Sequence, residues 1–208
     1  MRILVVANQK GGVGKTTIAG HLGVMAESEA GPVALVDTDP QASLANWWNQ
    51  RQAETPLFAA LDIANLRNHM KKLAKAGVQL AIIDTPPAVT VTISAVLAVA
   101  DLVLIPTRPS PHDLRAVGST IDLVEQAGKR LVFVINGAAP RARITGEAAI
   151  ALSQHGTVAP VTLYQRTDFA ASMTDGRTVQ ELDQNSRSAA EVHELWKYVY
   201  TQLRKAAP

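Results

Sequence analysis

Residues 9–17 read Gln9-Lys10-Gly11-Gly12-Val13-Gly14-Lys15-Thr16-Thr17, just after the apolar run Ile3-Leu4-Val5-Val6-Ala7. Glycines at this density free backbone N–H groups to converge on an anion, and the helix start that follows adds the positive end of its dipole. Lys15 is placed to reach the terminal phosphates of a nucleotide, and the Thr16 hydroxyl can ligate Mg²⁺. The segment departs from the general Gly-x-x-x-x-Gly-Lys-Ser/Thr pattern at one position. Gln9 stands where the first glycine belongs, and Lys10 adds a second lysine inside the loop.

Two acidic clusters also follow apolar runs. Asp37 and Asp39 come after Val33–Val36, in Asp37-Thr38-Asp39-Pro40-Gln41. Alternate positions of an extended segment face one way, so the two carboxylates point together. Near a phosphate site they suit water positioning or general-base work, while one of them can instead cap a turn or the next helix. Pro40 stiffens this loop, a candidate segment for sensing a γ-phosphate. Asp84 closes Leu80–Ile83, where a carboxylate can hold Mg²⁺ through water. The competing reading of Asp84 is a helix N-cap.

These residues need a scaffold that brings them to one edge. Six apolar runs, 3–7, 33–36, 80–83, 102–105, 131–135 and 158–163, alternate with helical patterns over 16–29, 63–76, 89–99, 114–127, 144–155 and 189–203. Continuous apolar runs suit strands buried on both faces of a parallel sheet. The expected fold class is therefore α/β, a doubly wound, mostly parallel sheet with helices on both faces. Ligands bind at the carboxyl ends of such strands, and every chemical cluster lies there: the glycine loop, Asp37–Gln41, Asp84-Thr85-Pro86-Pro87, the segment 106–111 and Asn136-Gly137.

Composition sets the outer bounds. The chain has 208 residues, 47% hydrophobic and 18% charged, as in a globular protein, and we expect one domain over 1–208. The absence of cysteine excludes disulfides, thiol catalysis and a cysteine-held iron–sulfur cluster. The first strand begins at once, so no leader and no helix-turn-helix domain is expected ahead of it. Residues 89–100 are too short and too interrupted by Thr90, Thr92 and Ser94 to span a membrane. Net charge is −1 over residues 1–128 and +3 over 129–208, a tilt that favours approach to a polyanion.

Residues 10–17 are similar to the deviant Walker A loop of the ParA/MinD superfamily of P-loop ATPases. Asp37–Gln41 resembles the second motif of its ParA branch, and Asp84–Pro87 the third. Ile105 to Asp113 resembles the proline-rich stretch of short, ParF-like partition ATPases. The resemblance implies a slow ATPase that uses ATP and Mg²⁺ and dimerises when ATP is bound. Lys10 would reach the partner's phosphates. Gly11, Gly12, Val13, Gly14, Lys15 and Thr17 would hold the nucleotide in its own protomer. Thr16 would ligate Mg²⁺, with Asp84 binding it through water. Asp39 would orient the attacking water, supported by Asp37, and Asn136 would contact adenine, although an Asn-Gly pair is also an ordinary turn. Arg108, Arg141 and Arg143 are candidates for the dimer interface or for plain solvent-facing charge.

The ParA branch implies nonspecific DNA as a partner, a cytoplasmic, nucleoid-associated location, and a ParB-like or other cargo-borne protein that stimulates hydrolysis. The cargo would be a plasmid, a chromosome or a protein assembly. Arg166 and Arg187 are the favoured DNA contacts, whereas Lys71, Lys72 and Lys75 read as the solvated face of an amphipathic helix. The alternative is a MinD-like membrane-cycling regulator, for which the stripe Val192, Leu195, Trp196, Val199 and Leu203 would be the anchor; a final helix docked on the sheet is the preferred reading of that stripe. Adjacent Trp47 and Trp48 cannot both enter one core from a helix, so either one contacts a partner or both are partly buried. The five histidines lack metal-ligand spacing.

Overall fold

The apolar runs become strands because each is covered on both faces. In the computed structural model, which describes residues 1–87 and 91–205, the strands are β1 (Arg2–Val6), β2 (Val33–Asp37), β3 (Leu57–Phe58), β4 (Leu80–Asp84), β5 (Leu102–Thr107), β6 (Leu131–Ala138) and β7 (Thr157–Tyr164). They form one sheet in the order β3-β2-β4-β1-β5-β6-β7, and all pairings are parallel. The chain leaves β1 toward β2 on one side, then crosses from β4 to β5 on the other. The loop after β1 therefore sits at the topological switch point, where such sheets open a crevice. Register does the rest: Val6 is level with Asp84, and Asp84 with Asp37, so both carboxylates end beside that loop.

Helices fill the two faces: α1 (Lys15–Ala30), α2 (Ser43–Trp48), α3 (Leu66–Lys75), α4 (Val91–Val99), α5 (Pro111–Ala116), α6 (Gly118–Gln126), α7 (Arg143–Ser153), α8 (Thr167–Ser172), α9 (Val179–Leu182) and α10 (Arg187–Lys205). Alternate strand residues feed two cores. Leu4, Val6 and Leu35 join α1, α2 and α10 through Leu22, Trp47 and Trp196. Val5, Val36 and Ile83 join α3, α4, α6 and α7 through Met70, Leu97, Ile121 and Leu152. The whole stripe Val192, Leu195, Trp196, Val199 and Leu203 is buried in the first core, each side chain contributing roughly 1.5–3 kcal/mol by leaving water. That apolar face is consumed by docking. No described helix is long and apolar enough to cross a membrane.

Some elements differ from the sequence reading. The helix expected over 114–127 is two, α5 and α6, meeting at Val117-Gly118, where glycine weakens helical continuity. It also starts earlier, because Ser110 Oγ accepts the Asp113 N–H at 3.1 Å and Pro111 opens the first turn. The helix expected over 63–76 begins as a 3-10 turn, Ile63–Asn65, capped by Asp62. Of the helix expected over 89–99, residues 89 and 90 lie outside the described residues. The strand β3 and the short α2, α8 and α9 carry too few residues for a periodic signal.

Candidate functional site

The loop after β1 is pinned from three neighbouring elements. Asn8, 2% exposed, donates from Nδ2 to the Pro106 carbonyl at 2.8 Å and accepts the Lys10 N–H on Oδ1 at 2.8 Å. The Gln9 N–H donates to Thr120 Oγ1 at 3.0 Å, and Gln9 Nε2 to the Ser119 carbonyl at 3.2 Å. Asn136 Nδ2 donates to the Val13 carbonyl at 2.7 Å. Gly14, at φ 90°, adopts the left-handed conformation just ahead of α1, and a Cβ there would overlap the Asn136 amide. Glycine is required here on both grounds. Gly11, Gly12, Val13 and Gly14 thus wrap the N-terminus of the sixteen-residue α1, leaving Thr16 and Thr17 in its first turn.

The loop's two lysines differ. Lys15 is buried and its Nζ donates to the Lys10 carbonyl at 3.3 Å. Burial lowers its pKa, opposed by the charges of Asp84 and Asp39. Lys10 is exposed and lines a hollow of about 660 Å³ with Arg108, Ser110, His112 and Asp113.

The carboxylates divide the work. Asp84, 1% exposed, accepts the Thr16 hydroxyl on Oδ2 at 2.6 Å, while its Oδ1 is buried with no hydrogen-bond partner. Burial pushes the Asp84 carboxyl up to about 7, with Asp37 and Asp39 adding to the rise and Thr16 and Lys15 opposing it. Asp37 is fully engaged by backbone: Oδ1 accepts the Asp39 N–H at 2.9 Å, and Oδ2 accepts Leu44 and Ala45 N–H at 2.9 and 3.0 Å, tying down the start of α2. Asp39 is half-buried, and its Oδ1 accepts the Gln41 N–H at 2.9 Å. Thr38 fastens this loop to β4, both its N–H and its hydroxyl donating to the Asp84 carbonyl, at 3.0 and 2.7 Å.

This donor set fits Mg²⁺. A threonine hydroxyl, a buried carboxylate oxygen without a partner and nearby carboxylates are hard oxygen ligands. Among the described residues no group of three acidic, histidine or cysteine side chains could hold a metal alone, so phosphate oxygens would complete the shell.

A cleft of about 270 Å³ opens beside the loop, lined by Gly14, Thr17, Asn136, Phe169, Arg166 and the buried His21 among others. Its mostly apolar lining and size suit a planar base. Arg166 is tied within the chain, donating to Glu191 Oε1 at 2.5 and 3.1 Å and stacking over Tyr164 at 5.6 Å. Arg187, at the start of α10, is exposed. The structure therefore does not bring Arg166 and Arg187 together as two free surface cations. Trp47 is buried over Gly20 of α1, with Nε1 donating to the Arg177 carbonyl, and the half-buried Trp48 donates to the Pro56 carbonyl at 2.7 Å. Both tryptophans are used inside the chain. Sequence reading missed Asn8, Thr38 and His21. Their roles depend on partners far along the chain, and only the polar Asn8 inside an otherwise apolar strand exit hinted at one.

The family model described as the CobQ/CobB/MinD/ParA nucleotide binding domain matches residues 4–189. "Maintenance of carboxysome distribution protein A" of Halothiobacillus neapolitanus is 32% identical over 199 residues, covering 90% of this chain and 91% of that relative. The MinD of the Aquifex aeolicus MinC:MinD cell division complex superposes with a TM-score of 0.82 at 15% identity, over 97% of this chain and 96% of that one. A McdA variant from Cyanothece in complex with ATP superposes with a TM-score of 0.75 at 19% identity, over 98% and 96%. The two structural likenesses show a shared fold.

Proposed function

The chain belongs to the CobQ/CobB/MinD/ParA nucleotide-binding family, and on that premise we propose that it is a ParA-like ATPase that positions a cargo through an ATP-dependent dimer bound to nonspecific DNA. The observation that supports this reading best is the contrast between the two lysines of one loop. Lys15 is buried against Asp84 and Asp39, whereas Lys10 stands exposed on the rim beside Arg108. Phosphoryl transfer needs positive charge gathered around the γ-phosphate. Lys15 supplies it from within, and Lys10 is free to supply it to a second copy, so hydrolysis waits for dimerisation.

The loop N–H groups of residues 11–17 cradle the phosphates, and the cleft beside Asn136 takes the base. Asn136 acts mainly by holding the loop through the Val13 carbonyl. Asp39 orients water for attack on the γ-phosphorus, as the bond to the β–γ bridging oxygen breaks and the water's proton leaves toward phosphate. Asp37 holds the Asp39 backbone in place. Thr16 and Asp84 would hold Mg²⁺, which neutralises phosphate charge when bound.

A cargo-borne partner triggers hydrolysis and release from DNA. The name of one relative, a carboxysome distribution protein, supports a distributed cellular body rather than a plasmid as the cargo. The membrane-cycling alternative has less support, since the apolar stripe of α10 is spent on the core. The test is retention on random-sequence duplex DNA with ATP, with ADP and without nucleotide, alongside dimerisation by light scattering. ATP-specific retention should vanish in Lys15→Ala, and Lys10→Ala should keep ATP while losing dimerisation. Equal retention in every nucleotide state, or an unchanged Lys10→Ala dimer, defeats the switch.

A further inference from the structure

We propose that the outer face of α3, rather than a patch built on Arg166 and Arg187, is the surface that meets the phosphate backbone of duplex DNA. The inference deepens the DNA-associated reading above and rests on it.

The sequence of α3, Leu66-Arg67-Asn68-His69-Met70-Lys71-Lys72-Leu73-Ala74-Lys75, contains no acidic residue. Leu66 and Met70 are buried and Leu73 packs beside them. At 100° per residue this inner edge leaves Arg67, Lys71, Lys75 and Lys72 on the opposite side, and all four are exposed. None of the four has an ion pair or a side-chain hydrogen bond among the described residues. The nearest preceding acid, Asp62, is occupied in capping the turn before α3.

Several surface cations elsewhere are already paired. Arg143 pairs with Glu147, Arg166 with Glu191, Arg177 with Asp175 and Lys197 with Glu194. Arg166 in particular would have to break two hydrogen bonds to Glu191 Oε1 before touching a phosphate. So α3 is the densest stretch of uncommitted positive charge on one described element. Its geometry fits the proposed partner. Arg67 to Lys75 spans about 12 Å at 1.5 Å per residue, a length of duplex that carries roughly seven phosphate charges. Asn65, Asn68 and His69 border the lysines and line a shallow hollow with them, adding neutral hydrogen-bonding groups that suit phosphate and sugar contacts without base readout.

A solvated helix face has a different explanation for Lys72 and Lys75, which lie in the last turn and complement the helix dipole. The salt dependence of binding separates the two, because a dipole role leaves it unchanged. Four phosphate contacts give a slope of log K against log salt of about −3.6, and each lysine removed takes away about 0.9.

The experiment measures binding of a fluorescent, mixed-sequence duplex to the full chain with ATP and Mg²⁺ across a salt series. It compares wild type, Lys71→Gln/Lys72→Gln/Lys75→Gln and Arg187→Gln, with basal ATP hydrolysis recorded for each. The expected result is a slope shallower by about 2.7 and an affinity at least tenfold weaker in the triple variant, with basal hydrolysis and the Arg187→Gln slope near wild type. A triple variant that binds like wild type while Arg187→Gln binds weakly overturns this surface and leaves the DNA-associated reading standing. A wild type that hydrolyses ATP but binds no duplex overturns both, as does preference for anionic lipid vesicles over duplex.

Discussion

His21 offers a sharp test of the buried electrostatics beside the cleft. The ring is 1% exposed. Its Nδ1–H donates to the Thr17 carbonyl at 2.7 Å, and Nε2 accepts the Val179 N–H at 3.2 Å, with Ser172 Oγ at 3.3 Å. A second proton on Nε2 would confront the Val179 N–H, so this site holds the neutral ring. Burial lowers its pKa from 6.5 to about 4. The folded state then resists a proton that the unfolded state takes up. Its contribution is complete above pH 6.5 and is lost as pH falls toward 4. At about 1.4 kcal/mol per unit the total is about 3 kcal/mol, with about 1 lost by pH 5.5 and about 2 by pH 4.5.

Wild type alone will not display this, because Asp84 works in the opposite sense. Its carboxyl, held up at about 7, takes up a proton in the folded state first, so the fold gains from Asp84 as pH falls through 7. The difference between wild type and His21→Gln cancels that contribution. Urea unfolding without nucleotide near pH 7, 5.5 and 4.5 should show the wild-type advantage over His21→Gln shrinking by about 2 kcal/mol across the range. An advantage that stays constant, or widens in acid, refutes the assignment of a neutral, buried imidazole.

Three further outcomes follow from the site. Asp84→Asn removes a buried carboxylate, so it should raise stability at pH 8 without ligand yet weaken the Mg²⁺ dependence of nucleotide binding about 10–100-fold, read by thermal melts with and without Mg–ATP. Gly14→Ala forces a Cβ against the Asn136 amide at φ 90° and should cost about 1–3 kcal/mol while abolishing nucleotide binding; wild-type binding in that variant would contradict the loop geometry. Ala42 holds φ 53° at the entry to α2, so Ala42→Gly should stabilise the chain by up to about 1 kcal/mol in urea titration.

Much of the fold was readable because its signals are local. Each long strand is a run such as Leu102–Ile105, and each long helix has a stripe such as Val192–Leu203. The family relation was legible in residues 10–17, 37–41 and 84–87, and the match over residues 4–189 bears it out. The short elements were not legible. The strand β3 is only Leu57–Phe58, and α9 only Val179–Leu182, too few residues to show a period. Nor was the status of the charges. Arg166 and Lys71 look alike in sequence, yet Glu191 holds one and, among the described residues, no side chain holds the other.

What the sequence determined by itself is the glycine-rich loop ahead of a helix and the parallel α/β scaffold, since backbone preference and apolar periodicity act over neighbouring residues. Tertiary structure decided which side chains carry free charge and which hold the loop. Pro106, Thr120 and Asn136 meet Asn8, Gln9 and Val13 from two strands and a helix about a hundred residues away, and the Asp84 carboxyl rises because the fold buries it beside Asp37. Desolvation and hydrogen bonding depend on what packs against a group, and packing is settled only when distant segments meet.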